Sequence, residues 1–223
     1  EKAAPMTKAE RKRVWVLLLV IALTIPAEIA YPMVWSIGIL WVDQYVNLAT
    51  SLGEVPSSWF ASMDSIGAIL AAPALIAFWA WQAKRGSEPT SVTKVGIGTT
   101  IIAFAALLFA YGNLGLSEPD SVGAGWAIAG WLIMGLAWMY YWPTTLAIVS
   151  RAAPAGMGSF LMGVAFLSPF VGHVLAGWVG SYFDQMHPSV FWAMDAGIAF
   201  VGGMLILLFR KRLQAALDPD LAP

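Results

Sequence analysis

The chain has no cysteine, so disulfides, thiol nucleophiles and thiolate-bound metals are excluded. Charge is scarce as well. Only 11% of residues are Asp, Glu, Lys or Arg, against about 25% in a soluble domain. The two histidines, His173 and His187, are not at a spacing that holds a metal ion. Gly96-Ile97-Gly98 lies inside an apolar run with no preceding strand, so it is not a nucleotide fingerprint. No basic stripe interleaved with aromatics points to nucleic acid. No nucleophile and base stand in a recognisable pattern. The sequence therefore implies neither an enzyme nor a cofactor.

What the chain does contain is apolar: 59% of its residues are hydrophobic and 12 are Trp. A membrane-crossing helix needs about 20 apolar residues. Six runs qualify, over 14–42, 57–82, 92–112, 123–150, 157–182 and 189–210, which predicts an all-α membrane protein. The first, fourth and fifth runs exceed the hydrocarbon thickness and should tilt or kink. Pro26, Pro32, Pro73, Pro143 and Pro169 lie inside runs, and each removes a helical hydrogen bond. Gly172, Gly177 and Gly180 suit close approach between helices. Trp41, Trp59, Trp79, Trp81 and Trp178 fall near run ends, where indole rings favour the headgroup layer. The expected organisation is a basic lead-in at 1–13, a six-helix bundle at 14–212 and a tail at 213–223. The thirteen residues before the first run are polar and basic, and that run is too long for a signal peptide. Because the chain opens on Glu1, it reads as a fragment or a processed product.

The cations fix the topology. Lys2, Lys8, Arg11, Lys12 and Arg13 precede the first run; Lys84, Arg85 and Lys94 share one connection; Arg151 lies in another; Arg210, Lys211 and Arg212 follow the last run. The connections between carry Asp43 and Glu54, then Glu118 and Asp120, then Asp184, and no cation. By the positive-inside rule both termini are expected in the cytoplasm, and a bacterial inner membrane is the expected location. Six helices with both ends inside match one half of a major-facilitator fold, in which two halves enclose a midplane site.

Specific strings narrow this further. Pro5-Met6-Thr7-Lys8-Ala9-Glu10-Arg11-Lys12-Arg13, Pro56-Ser57-Ser58-Trp59-Phe60-Ala61-Ser62-Met63-Asp64-Ser65, Lys94-Val95-Gly96-Ile97-Gly98 and Arg151-Ala152-Ala153-Pro154 occur in this order. So do Met162-Gly163-Val164-Ala165-Phe166-Leu167-Ser168, Gly172-His173 and Leu175-Ala176-Gly177. Together they resemble helices seven to twelve of the proton-dependent oligopeptide transporters, the POT/PTR family. The resemblance implies a C-terminal half that works with a second six-helix half on small peptides and protons. It also brings departures. The helix-seven triplet whose Glu handles substrate or protons falls on Tyr31-Pro32-Met33, the helix-eight Asn on Asp64, the helix-ten Glu on Trp138 and the helix-eleven Trp on Ala165. A scaffold kept while functional positions change suits an unusual substrate. It equally suits a non-transporting half that serves as a structural subunit of a larger membrane assembly.

Three acids fall inside runs: Glu28, Asp64 and Asp195. A carboxyl in hydrocarbon is usually paired, protonated or facing water. Asp64, about 10 Å into its helix at 1.5 Å per residue, is a candidate protonatable cavity group or a hydrogen-bonded helix residue. Glu28 is a candidate replacement for the missing family Glu. The plainer reading pairs it with its own carbonyl, freed by Pro32 four residues on. Asp195 lies on the last, peripheral helix. His173 is the only intramembrane cation candidate, either relaying protons or bonded to a helix neighbour. Trp138, Tyr141 and Trp142 share one helix face, lining a cavity or simply packing. Tyr31 and Ser168 complete the expected site. The expected partners are a second half or another membrane subunit, together with lipid.

Overall fold

A computed structural model describes residues 6–51, 53–115 and 121–217. Lys2, Pro5, Glu118, Asp120 and the Asp218-Pro219-Asp220 tail lie outside the described residues. The helices are α1 (Lys8–Met33), α2 (Ile37–Tyr45), α3 (Ser58–Lys84), α4 (Ser91–Gly112), α5 (Ala124–Ala152), α6 (Gly158–Gly180) and α7 (Pro188–Leu217). They form six apolar spans long enough to cross a membrane, with α1 and α2 sharing the first. A two-residue hairpin, β1 (Ala49–Thr50) with β2 (Gly53–Glu54), joins the first and second spans.

The boundaries differ from the apolar runs for local reasons. Helix α1 begins at Lys8, well before residue 14, because Thr7 and Glu10 form a capping box. The Thr7 hydroxyl accepts from the Glu10 amide at 3.2 Å, and the Glu10 carboxyl accepts from the Thr7 amide at 2.8 Å. Helix α7 continues to Leu217, beyond the apolar run, because Leu213 and Leu217 stay buried. The first run is broken after Pro32. The amides of Trp35 and Ser36 turn back onto Pro32 and Met33, and α2 starts afresh at Ile37. Pro26, Pro73, Pro143 and Pro169 all remain inside continuous helices.

Glycine sets how the helices meet, since hydrocarbon offers no hydrophobic drive for their association. Helix α4 packs against α5 and α7, α1 against α6 and α7, and α3 against α5. A Cβ at Gly135 would stand 2.0 Å from the Asp64 carbonyl oxygen, and one at Gly67 2.3 Å from that of Leu132. Gly202 instead receives the Pro26 ring, whose Cβ would stand 2.6 Å from an added Cβ. Only residues without a side chain allow these backbone crossings.

The segregation of charge persists in three dimensions. Arg151 at the end of α5 donates to the Ser91 hydroxyl at the start of α4, at 2.7 Å. Lys94 pairs with Glu88 and lies 4.0 Å above the Trp79 ring of α3. At the other end, the Val122 amide donates to the Tyr45 carbonyl, and Tyr45 meets Phe183 edge-on.

Trp41 departs from its expected headgroup position. It is fully buried, packed against Phe109, Trp131 and Trp192 at centroid distances of 5.2 to 6.4 Å. Its indole N–H donates to Asn113 Oδ1 at 3.1 Å. The reason is the break after Pro32, which folds α2 onto the bundle; a buried Trp is stable where its N–H finds an acceptor. Trp59, Trp81 and Trp178 are exposed, as their positions near the span ends require.

Candidate functional site

The site is built on one face of α1. Glu28 and Tyr31 are three residues apart and project to the same side. Gly172 on α6 makes room for this turn: a Cβ there would stand 2.2 Å from the Glu28 Cβ. The Glu28 carboxyl accepts a hydrogen bond from the Tyr141 hydroxyl of α5. The Tyr31 hydroxyl donates to Asp64 Oδ2 of α3 at 2.9 Å. Two carboxyl–phenol pairs thus tie α1 to α5 and to α3 on adjacent turns. The second oxygen of Asp64 is buried with no partner among the described residues.

Beside these pairs opens a cavity of about 640 Å³. Its aromatic walls are Tyr31, Trp35, Trp138, Tyr141, Trp142 and Phe166. Glu28, Pro32, Ser36, Pro169 and His173 supply the polar and proline-bent parts of the lining. Trp142 meets Phe166 edge-on at 5.6 Å, forming a corner. Among the described residues no Lys or Arg lines this cavity. None of them gather as three metal-ligating side chains either.

Of the residues singled out from sequence, Glu28, Tyr31, Trp138, Tyr141 and His173 come together in the lining. The shared face of Trp138, Tyr141 and Trp142 is real, because α5 continues unbroken through Pro143. Asp64 is attached to the lining through Tyr31. Ser168 is not in the lining: it is buried, donates to the Ala165 carbonyl at 2.9 Å and accepts from Thr24 at 3.5 Å. Its helical register turns it inward against α1. Glu28 bonds across helices, to Tyr141 of α5, and not back to its own carbonyl. His173 is exposed, with Nδ1 2.6 Å from the Pro169 carbonyl oxygen one turn earlier.

Trp35 and Phe166 escaped the sequence reading. Trp35 lies in the break that no periodicity marks, although it follows Tyr31 by one turn. Asp195 is completely buried, and neither carboxyl oxygen has a partner among the described residues. It stands apart from the cavity lining.

The six long apolar helices around this aromatic, carboxyl-bearing cavity match the six-helix bundle expected from the sequence. The fold agrees: the chain superposes on a crystal structure of a peptide transporter POT in complex with sulfate, with a TM-score of 0.87 at 19% identity. The match covers 96% of this chain and 43% of that one. A POT family transporter in complex with 5-aminolevulinic acid gives a TM-score of 0.84 at 18% identity over 95% of this chain and 44% of that one. The family model described as PTR2, POT family, matches residues 2–194. The chain belongs to the POT family.

Among relatives, the peptide transporter YePEPT of Yersinia enterocolitica is 30% identical over 76% of this chain and 34% of its own length. The peptide transporter PTR2 of Saccharomyces cerevisiae is 25% identical over 82% of this chain and 33% of its own. An uncharacterized transporter of Bacillus subtilis, YclF, is 24% identical over 84% of this chain and 39% of its own. The chain therefore spans between a third and two fifths of the length of these curated relatives.

Proposed function

We propose that this chain forms the C-terminal six-helix half of a proton-coupled, oligopeptide transporter-like carrier. It would reside in a bacterial inner membrane with both termini cytoplasmic. The observation that carries this reading is the cavity on α1, α5 and α6, with Glu28 bonded to Tyr141 and Asp64 bonded to Tyr31 beside it. Carboxyls embedded in a span mark ion or proton pathways. Here each is held by a phenol that can follow a change in its protonation. Glu28 sits one turn before Pro32, the position at which the family carries its Glu, and so takes over that role. A second six-helix half supplies the opposite wall, since carriers of this architecture alternate access by rocking one half against the other. The mostly exposed apolar faces of α3 and α6, including Ile69, Leu70, Phe170 and Trp178, fit such a partner.

The test is uptake of a labelled dipeptide into vesicles under an imposed proton gradient, with this chain co-produced with a complementary N-terminal half. Gradient-driven uptake that Glu28→Gln abolishes supports the reading. A folded, paired complex without any uptake would favour the structural subunit instead. Topology is checked separately by single-cysteine labelling, which the cysteine-free sequence permits. Ser87 and Ala155 positions should react from the cytoplasmic side and Gly53 from the other.

A further inference from the structure

We propose that the end of the bundle where α1 begins and α7 stops binds the headgroup of an anionic phospholipid, with Arg11, Lys12, Lys211 and Arg212 as its counter-charges. The site lies outside the cavity and does not depend on what the chain carries.

Packing brings the two helix ends together. Pro26 of α1 lies against Gly202 of α7, and Trp41, farther along the first span, lies against Trp192, earlier in α7. The two helices therefore run in opposite directions, and the residues before Pro26 lie beside those after Gly202. At 1.5 Å per residue, Arg13 stands about 20 Å from this crossing and Arg212 about 15 Å. Both helices outrun their apolar stretches, α1 through the Thr7 and Glu10 capping box and α7 through buried Leu213 and Leu217. The cations are thus carried on ordered turns at the edge of the hydrocarbon.

The sign of this end is positive. Over 1–13 and 210–223 the sequence carries eight Lys or Arg against four acids, Glu1, Glu10, Asp218 and Asp220. The Glu10 carboxyl is already taken, by the amide and hydroxyl of Thr7. The cations themselves are free. Elsewhere Arg85 lies over Trp81, Lys94 pairs with Glu88, and Arg151 donates to Ser91. Lys8, Arg11, Lys12, Lys211 and Arg212 are exposed, with no hydrogen bond, ion pair or ring contact among the described residues. Arg13 is half-buried, and its Nε has no acceptor among them.

Below the cations the surface turns apolar. Trp15 and Leu19 follow Arg11 at helical spacing and are exposed, as are Leu205, Leu208 and Phe209 before Arg210. An indole favours the headgroup level, and the aliphatic side chains beneath it meet acyl chains. Cations set above an apolar strip suit a lipid, whereas a soluble anion would use the cations alone. Lys and Arg clustered beside a span attract anionic headgroups. A zwitterionic headgroup would bring its own ammonium among these cations.

The test is energy transfer from tryptophan to dansyl-labelled lipid, with the chain reconstituted in phosphatidylcholine vesicles. Labelled phosphatidylglycerol is compared with labelled phosphatidylcholine. The anionic label is expected to associate about tenfold more strongly, the ratio expected when one or two cations engage a headgroup. Arg11→Gln with Lys12→Gln, and Lys211→Gln with Arg212→Gln, should each remove most of that preference. Lys84→Gln with Arg85→Gln takes the same charge from α3 and should leave it. Thermal melting checks that each variant is folded; if one pair fails, the other pair and the two labels still decide. Inorganic phosphate should displace the anionic label no better than chloride at equal ionic strength. Equal association of the two labels would overturn the inference. So would an equal loss from the α3 pair, which would reduce the effect to general surface charge. Displacement by phosphate beyond that by chloride would assign the site to a soluble anion and overturn the lipid.

Discussion

Gly135→Ala tests whether the candidate site depends on one backbone crossing. The added Cβ would stand 2.0 Å from the Asp64 carbonyl oxygen and 2.5 Å from the Ala68 amide nitrogen, whereas ordinary contact begins at 3.4 Å. Both obstacles are backbone atoms, so no side-chain rotation relieves the clash. Helices α3 and α5 must separate by about 1.4 Å, the difference between these distances. Overpacking of this kind costs about 1–3 kcal/mol, and more where nothing can yield; the upper part of that range is expected here. The same separation carries Asp64 away from Tyr31, whose hydrogen bond of 2.9 Å does not survive a shift of 1 Å or more. The assay is reversible unfolding in mixed micelles, with Gly197→Ala as control. Gly197 has nothing within 4 Å of an added Cβ, so its alanine variant should be neutral or gain up to about 1 kcal/mol from helix propensity. If Gly135→Ala is as stable as the unaltered chain, the close α3–α5 crossing is wrong, and the placement of Asp64 falls with it.

Tyr31→Phe should destabilise by about 1–3 kcal/mol, because it leaves a buried carboxyl with no partner on either oxygen; an unchanged unfolding midpoint would show that Asp64 has another partner. Tyr141→Phe and Glu28→Gln should be non-additive in a double-mutant cycle, with a coupling of about 0.5–3 kcal/mol; strict additivity would refute the Tyr141–Glu28 pair. Asp195→Val should raise stability by about 1–4 kcal/mol, since an acid without a partner in a dry core is replaced by apolar volume; a loss of stability would reveal a role for Asp195.

The six spans and the alternation of their charged ends were legible in the sequence, because both follow from composition counted along the chain. Hydrocarbon demands long apolar runs, and cations partition to one side of them. The common face of Trp138, Tyr141 and Trp142 was legible too, as helical spacing requires no partner to define it. The start of α1 was missed although its signal, Thr7 followed by Glu10, is local. The apolar run drew attention inward from it.

Which face meets which neighbour was decided only by tertiary structure. Nothing within α1 says that Glu28 turns to Tyr141, 113 residues away, in place of its own carbonyl. That follows from α1 packing beside α5 in the bundle. Tertiary packing likewise placed Trp41 in the core and turned Ser168 away from the cavity wall. Sequence thus determined which segments enter the membrane, since transfer from water depends on each segment's own composition. The tertiary structure decided which side chains share a cavity, since that depends on where glycines allow two backbones to cross.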